Sequence, residues 1–186
     1  MLSGETAAGD HPLRAIQKLR GFAKQAEEEY YRKTDEEERF RKILKEAKAL
    51  LPPAQWKAQW QIQRVSYSAC SLSTGFDRGI KAILVPTALG LTARMVSRFR
   101  PRVPIMGAVY GNQPYSEITK RKLILSFGVY PLSGKILDYG TLDKVFEKTS
   151  EQALREGYIG VCDHVIITAG DRNKPGTTNT VRVHHL

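Results

Sequence analysis

Along residues 12–51 the apolar positions recur every three or four residues, and from residue 80 onward they gather into short runs. Ala15, Ile16, Leu19, Phe22, Ala23 and Ala26 fall on one face of a predicted helix. Pro12, just after His11, suits the start of that helix, where its missing N–H costs nothing. Phe40, Ile43, Leu44, Ala47, Leu50 and Leu51 predict a second helix with one buried face, stopped by Pro52-Pro53. A third helix is predicted from about Ile62 to Gly79, with Val65, Ala69, Leu72 and Phe76 facing inward. Beyond it, strands are predicted at 82–86, 104–110, 128–131, 163–168 and 179–184, with helices near 90–99, 117–127 and 141–156. Short apolar strands separated by helices predict a three-layer α/β/α domain built on a five-stranded, mostly parallel sheet. Val181-Arg-Val-His reads as its edge strand.

Polar positions narrow the function classes. Residues 27–48 are crowded with charges, and spacings such as Glu37–Arg41 and Glu38–Lys42 favour i,i+4 pairing on a solvated helix surface. The formal net charge is +10; residues 1–60 contribute +2 and residues 61–186 contribute +8. Arg94, Arg98, Arg100 and Arg102 supply half of the latter surplus on and just after one short helix. Such a cluster attracts an anionic ligand, nucleic acid or an acidic neighbouring subunit. No zinc finger, recognition helix or aromatic-rich strand accompanies it, so no nucleic-acid partner is expected and a subunit contact is preferred. No apolar run approaches the roughly 20 residues of a membrane span, and Met1 leads into polar Ser-Gly-Glu-Thr rather than a signal core. Cys70 and Cys162 lie far apart and read as reduced thiols of a cytoplasmic protein. The four histidines show no metal-ligand spacing, and His184 and His185 belong to the terminal strand.

One stretch carries candidate chemistry. The apolar run Ala82-Ile-Leu-Val-Pro-Thr87 delivers the chain to a turn at Gly90, and the basic helix starts just after it. Free N–H groups at a helix start favour an anion, so this is a phosphate-binding geometry in outline. The segment Thr87-Ala-Leu-Gly-Leu-Thr-Ala-Arg-Met-Val-Ser-Arg-Phe-Arg-Pro101 also resembles the pattern TxSGxTAxxxSRxRPxxPI of the carboxy-terminal domain of pyruvate kinase. Four further motifs agree in order. Met1-Leu-Ser-Gly-Glu-Thr-Ala-Ala-Gly-Asp-His-Pro12 is similar to the family's MLSGETAxGxxP, and Arg121-Lys-Leu-Ile-Leu-Ser-Phe-Gly-Val-Tyr-Pro131 to RQLxLxxGVxP. Asp163-His-Val-Ile-Ile-Thr-Ala-Gly170 and Gly176-Thr-Thr-Asn179 are similar to its closing strand, loop and strand.

The resemblance implies a division of the chain. Residues 1–30 would be the end of the last strand and the last helix of a TIM barrel otherwise missing here, 31–61 a helical connection, and 62–186 the carboxy-terminal α/β domain. The helix face around Ile16 and Phe22 would then lack the barrel strands it packs on, leaving an association hazard. The implied parent reaction is phosphoryl transfer from phosphoenolpyruvate to ADP in glycolysis, with Mg²⁺ and K⁺ as cofactors. Ser3 matches a serine of the family's proton-relay network. The carboxylates and cations that the chemistry needs come from earlier barrel strands, so the fragment is expected to be inactive alone. The alternative is a stand-alone module that senses a phosphorylated metabolite or contacts a protein partner. The Ser3-Gly-Glu-Thr-Ala7 segment has a purpose only beside a barrel active site, which favours the fragment.

The family's tetramers and its sugar-phosphate control imply two kinds of partner, copies of the same subunit and a phosphorylated effector. The effector loops map onto Thr87, Ala88, Leu89, Gly90, Leu91 and Thr92, and onto Arg172, Lys174, Gly176 and Thr177. Thr87 and Thr92 are expected to hydrogen-bond a phosphate, and Arg172 and Lys174 to supply counter-charge. Departures matter here. Ala88 and Leu89 replace polar positions, Asp138 stands where the animal-type pattern has an aromatic, and Val145 stands where it has an arginine. Each lost charge-assisted bond costs about 1.5–3 kcal/mol, or roughly ten- to 150-fold in affinity. Three readings remain: control by fructose 1,6-bisphosphate, another phosphorylated effector held by the first loop, or a capped helix start that binds nothing.

Overall fold

The computed structural model describes residues 4–50, 56–111, 115–134, 141–170 and 176–186. The chain divides into two compact units, Met1–Arg39 and Phe40–Leu186. In the first unit, Gly4–Ala7 forms a single helical turn, α1, and α2 runs over Pro12–Lys33. Pro12 occupies the first turn of α2, while Arg32 and Lys33 place positive charge at its C-terminal end, complementing the helix dipole. Thr34 is extended and ends the helix. Asp35 then starts α3 (Glu36–Leu50): its Oδ1 accepts the Glu37 N–H at 2.9 Å and the Glu38 N–H at 3.2 Å. None of the residues of α2 is buried, and Ile16 and Phe22 are 48% and 65% exposed.

The second unit is built on one sheet in the order β3-β2-β1-β4-β5. Its strands are β1 (Ala82–Thr87), β2 (Ile105–Val109), β3 (Val129–Pro131), β4 (His164–Gly170) and β5 (Thr178–His185). Four run parallel, in the mostly parallel sheet that the sequence predicts, and β5 at the edge pairs antiparallel to β4. Central β1 is buried at all six positions, because helices cover both of its faces. On one face Ile83, Val85, Ile105 and Ile166 pack with Phe40 of α3 and with residues of three other helices. These are Ala69 and Cys70 of α4 (Trp56–Gly75), Val96 and Phe99 of α5 (Leu91–Phe99), and Leu123 of α6 (Tyr115–Leu123). On the other face Ala82, Leu84, Met106, Val165 and Ile167 pack with Val145, Phe146 and Ala153 of α7 (Leu142–Arg155). Each large apolar side chain so buried stabilises the fold by about 1.5–3 kcal/mol.

Three local readings shift. Leu72 was expected inside but is 40% exposed. Among the described residues, the buried positions of α4 are Ile62, Gln63, Val65, Ser66, Ala69 and Cys70, and its last turn, residues 71–75, buries none. α4 also starts before Ile62 and stops at Gly75. Finally, α6 ends at Leu123 rather than near 127. Turn bonds from Leu125 N–H to Lys122 O and from Ser126 N–H to Leu123 O, with Gly128 at φ +67°, swing the chain so that Val129 pairs with Ile105. Ser97 Oγ–H anchors that turn on the Phe127 carbonyl at 2.7 Å. Gly107 of β2 makes the helix seat possible, since a Cβ there would stand 2.9 Å from Leu123 Cδ1.

Candidate functional site

In an open α/β sheet, ligands bind beyond the carboxyl ends of the strands where the connections reverse direction. Here β1 lies between β2, reached through α5, and β4, reached on the other side of the sheet. A small pocket of about 60 Å³ opens at that switch point, with Thr87 from the end of β1, Tyr110 just after β2 and Gly170 from the end of β4 on its wall. Pro86, Ala88, Leu89, Leu91, Thr92, Gly176, Thr177 and Thr178 complete the described lining. By volume it holds a few water molecules or one tetrahedral oxyanion.

The turn into α5 shapes this pocket. Gly90 adopts φ +74°, ψ 4°, and its N–H donates to Thr87 Oγ1 at 2.9 Å. Only glycine fits without strain, because a Cβ would also stand 3.0 Å from Leu123 Cδ2. The first intrahelical bond runs from Arg94 N–H to the Gly90 carbonyl at 3.1 Å. The N–H groups of Leu91, Thr92 and Ala93 therefore precede the ladder and form the positive end of the helix. Below them Thr92 Oγ1 and Thr178 Oγ1 lie 2.8 Å apart, both buried, and close the pocket floor with one shared proton. The accepting hydroxyl keeps its own proton for another partner. Burial raises the Tyr110 phenol above its ordinary range, so this group stays protonated.

The structure thus gathers Thr87, Ala88, Leu89, Leu91, Thr92, Gly176 and Thr177 around one space, with Gly90 beneath as the turn that shapes it. Thr87 and Thr92 also have structural partners. Both spend part of their hydrogen-bonding capacity on holding the loop and the floor. Arg172, Lys174, Asp138 and Ser3 lie outside the described residues. Val145 is 2% exposed and packs in the α7 core, so it adds nothing to the pocket. Tyr110 and Thr178 escaped the sequence reading. The Tyr110 N–H donates to the Thr87 carbonyl at 3.1 Å, extending the β1–β2 ladder by one bond, and only strand pairing brings those residues together.

Among the described residues no cluster of three or more His, Cys, Asp or Glu is placed to hold a metal. Nor is any helix among them long and apolar enough to cross a membrane. Arg94, Arg98, Arg100 and Arg102 are exposed on and after α5. Arg100 takes the left-handed C-cap at φ 49° and lies over the Phe127 ring at 4.8 Å.

Comparison with known proteins agrees with this architecture. The family model described as "Pyruvate kinase, alpha/beta domain" matches residues 63–184. A pyruvate kinase of Bacillus licheniformis is 32% identical over 184 residues, which cover 99% of this chain and 28% of that protein. One from Sporosarcina psychrophila is 33% identical over 186 residues, with 99% and 28% covered. One from Clostridium acetobutylicum is 32% identical, covering 98% of this chain and 34% of its own. The chain therefore spans about a third or less of the length of these relatives. With a family match over most of its length and a sheet of the corresponding α/β type, the chain belongs to the pyruvate kinase family and carries its α/β domain.

Proposed function

We propose that this chain is the carboxy-terminal regulatory and assembly portion of a pyruvate kinase whose parent transfers phosphate from phosphoenolpyruvate to ADP. Residues 1–30 are then the end of the catalytic barrel, residues 31–61 the connection, and residues 62–186 the α/β domain. The observation that carries this reading is the family match over residues 63–184 in a chain that aligns with only 28% of the length of whole relatives. Mg²⁺ and K⁺ belong to the chemistry of the parent barrel. The described residues offer no acidic cluster for a metal, and Ser3 alone supplies no phosphoryl-transfer machinery. The chain by itself is inactive, and its parent works in the cytoplasm as a homotetramer.

The pocket at Thr87–Thr92 and Gly176–Thr178 takes the phosphate of a small effector on the N–H groups that open α5, with Arg172 and Lys174 as counter-charges. The reading gives this loop one phosphate group rather than a bisphosphate held at both ends. Calorimetric titration of the 186-residue chain with inorganic phosphate, glucose 6-phosphate and fructose 1,6-bisphosphate tests this. Monophosphate binding that Thr87→Val weakens about tenfold supports the reading, one hydrogen bond to a charged group being worth about 1.5–3 kcal/mol. Absence of heat with all three removes the effector role. Pyruvate formation by the isolated chain from phosphoenolpyruvate, ADP, Mg²⁺ and K⁺ would overturn its inactivity.

A further inference from the structure

The far end of the β4–β5 ladder carries a pair of imidazoles that the Thr87 pocket does not use. His164 opens β4, His185 closes β5, and the antiparallel register sets them opposite one another. Alternate residues of a strand share a face, so the pair stands on the face of Ile166 and Val183. The ring centroids are 4.5 Å apart and the planes tilt by 39°. Phe76 packs against His164 at 5.5 Å, limiting the positions open to that ring. His185 is exposed and His164 half-buried, so an ion in solution reaches both.

We propose that His164 and His185 form a two-imidazole site for a borderline divalent cation of the zinc, nickel or copper(II) class. Cations of this class suit imidazole nitrogen. Bonds of about 2.0–2.1 Å to each ring bring two ligating nitrogens to about 3 Å of one another. Rings whose centres are 4.5 Å apart are close enough for one cation to bridge once each turns a nitrogen toward it. No third His, Cys, Asp or Glu joins the pair among the described residues, so water fills the other positions. The site is an open clip rather than a closed structural centre.

Its location gives the clip a consequence. β5 is the edge strand, and its opposite end carries Thr178, the partner of Thr92 in the pocket floor. A cation across residues 164 and 185 adds a side-chain link to the end of the ladder where Leu186 exchanges backbone bonds with Cys162 and Asp163.

Titration of the 186-residue chain with NiCl₂ and separately with ZnCl₂, followed by calorimetry and by the unfolding temperature, tests the site. One equivalent of bound metal is expected, with an unfolding temperature that rises with metal concentration and weaker binding at pH 5.5 than at pH 7.5 as protons compete. His185→Ala and His164→Gln should each weaken binding at least tenfold. His184→Ala, on the opposite sheet face with Val165, and Cys162→Ser should leave it unchanged. Far-ultraviolet circular dichroism of each variant checks that it folds, and exposed His185 is the substitution least expected to perturb the core. Absence of binding at millimolar metal, equal binding by the folded His185→Ala variant, or loss confined to Cys162→Ser each overturns the proposal.

Discussion

Thr92 and Thr178 stand 86 positions apart in the chain, yet their hydroxyls share a buried proton beneath the candidate pocket. Removing one partner leaves the other without a bond, at a cost of about 1–3 kcal/mol, whereas replacing both by isosteric apolar groups is nearly neutral. Thr92→Val should therefore lower stability in urea unfolding by that amount, and Thr92→Val/Thr178→Val should recover most of it. A double variant that loses the sum of both singles would show that the hydroxyls act separately. Gly90→Ala should cost about 1–2 kcal/mol from the left-handed backbone alone, with more from the contact at Leu123. The same unfolding measurement checks it, and an unchanged midpoint would mean that the turn relaxes to another geometry. Glu156 makes a third case. Burial raises its carboxyl, but donors from Gln152, from the Ser133 side chain and from the N–H groups of Ser133 and Gly134 outweigh burial and hold it below the usual carboxylate range. A lowered folded value means stability that is present above the unfolded value and lost as pH falls through the folded one. The unfolding temperature of Glu156→Gln should therefore lie below that of the parent chain at pH 7, and the gap should narrow toward pH 3. A gap that widens in acid would contradict that sign.

At the scale of the element, helices with similar apolar patterns meet different fates. α5 and α7 bury their stripes on opposite faces of the sheet, while α2 buries no residue. The i,i+3/i+4 pattern states that a helix has an apolar face, and only a partner decides whether that face is covered. Phe22→Ser in α2 should change the unfolding free energy by no more than about 0.5 kcal/mol, as exposed substitutions generally do. Phe99→Ala in α5 should cost about 3–5 kcal/mol, since the ring is fully buried and packs edge-on to Phe40 at 6.0 Å. A large loss on Phe22→Ser would reveal a covering partner in solution, and light scattering would identify self-association. The strands were the most legible elements, because unbroken apolar runs bounded by Gly and Pro have few other meanings. Helix ends were less so. α6 stops at Leu123 to satisfy the β2–β3 register, a constraint imposed by residues about twenty positions away.

For the whole molecule, the net charge of +10 and a pI near 9.7 set the solution behaviour. Ion pairs such as Lys24–Glu28 and Arg155–Glu151 are exposed and local, each worth a few tenths of a kcal/mol. Excess positive charge repels itself at neutral pH and low salt. Adding NaCl should therefore raise the unfolding temperature, because screening relieves more repulsion than it removes attraction. A fall with salt would show that paired charges dominate.

The layered α/β order and the family motifs followed from local pattern, because strand runs, helical periodicity and a Gly turn depend on neighbours within a few positions. The turn from β1 through Gly90 into α5 was legible for the same reason: strand, Gly90 and helix are contiguous in the chain. Pairing across the sheet was not. The strand order sets Thr87 beside Tyr110 and Gly170, Thr178 under Thr92, and His164 against His185, although no histidine spacing hinted at a pair. Val145 points into a core and Leu72 out of one, because the phase of each helix is chosen by the surface on which it packs. Local chemistry selects the elements, and the burial of their combined apolar surface selects which distant side chains meet.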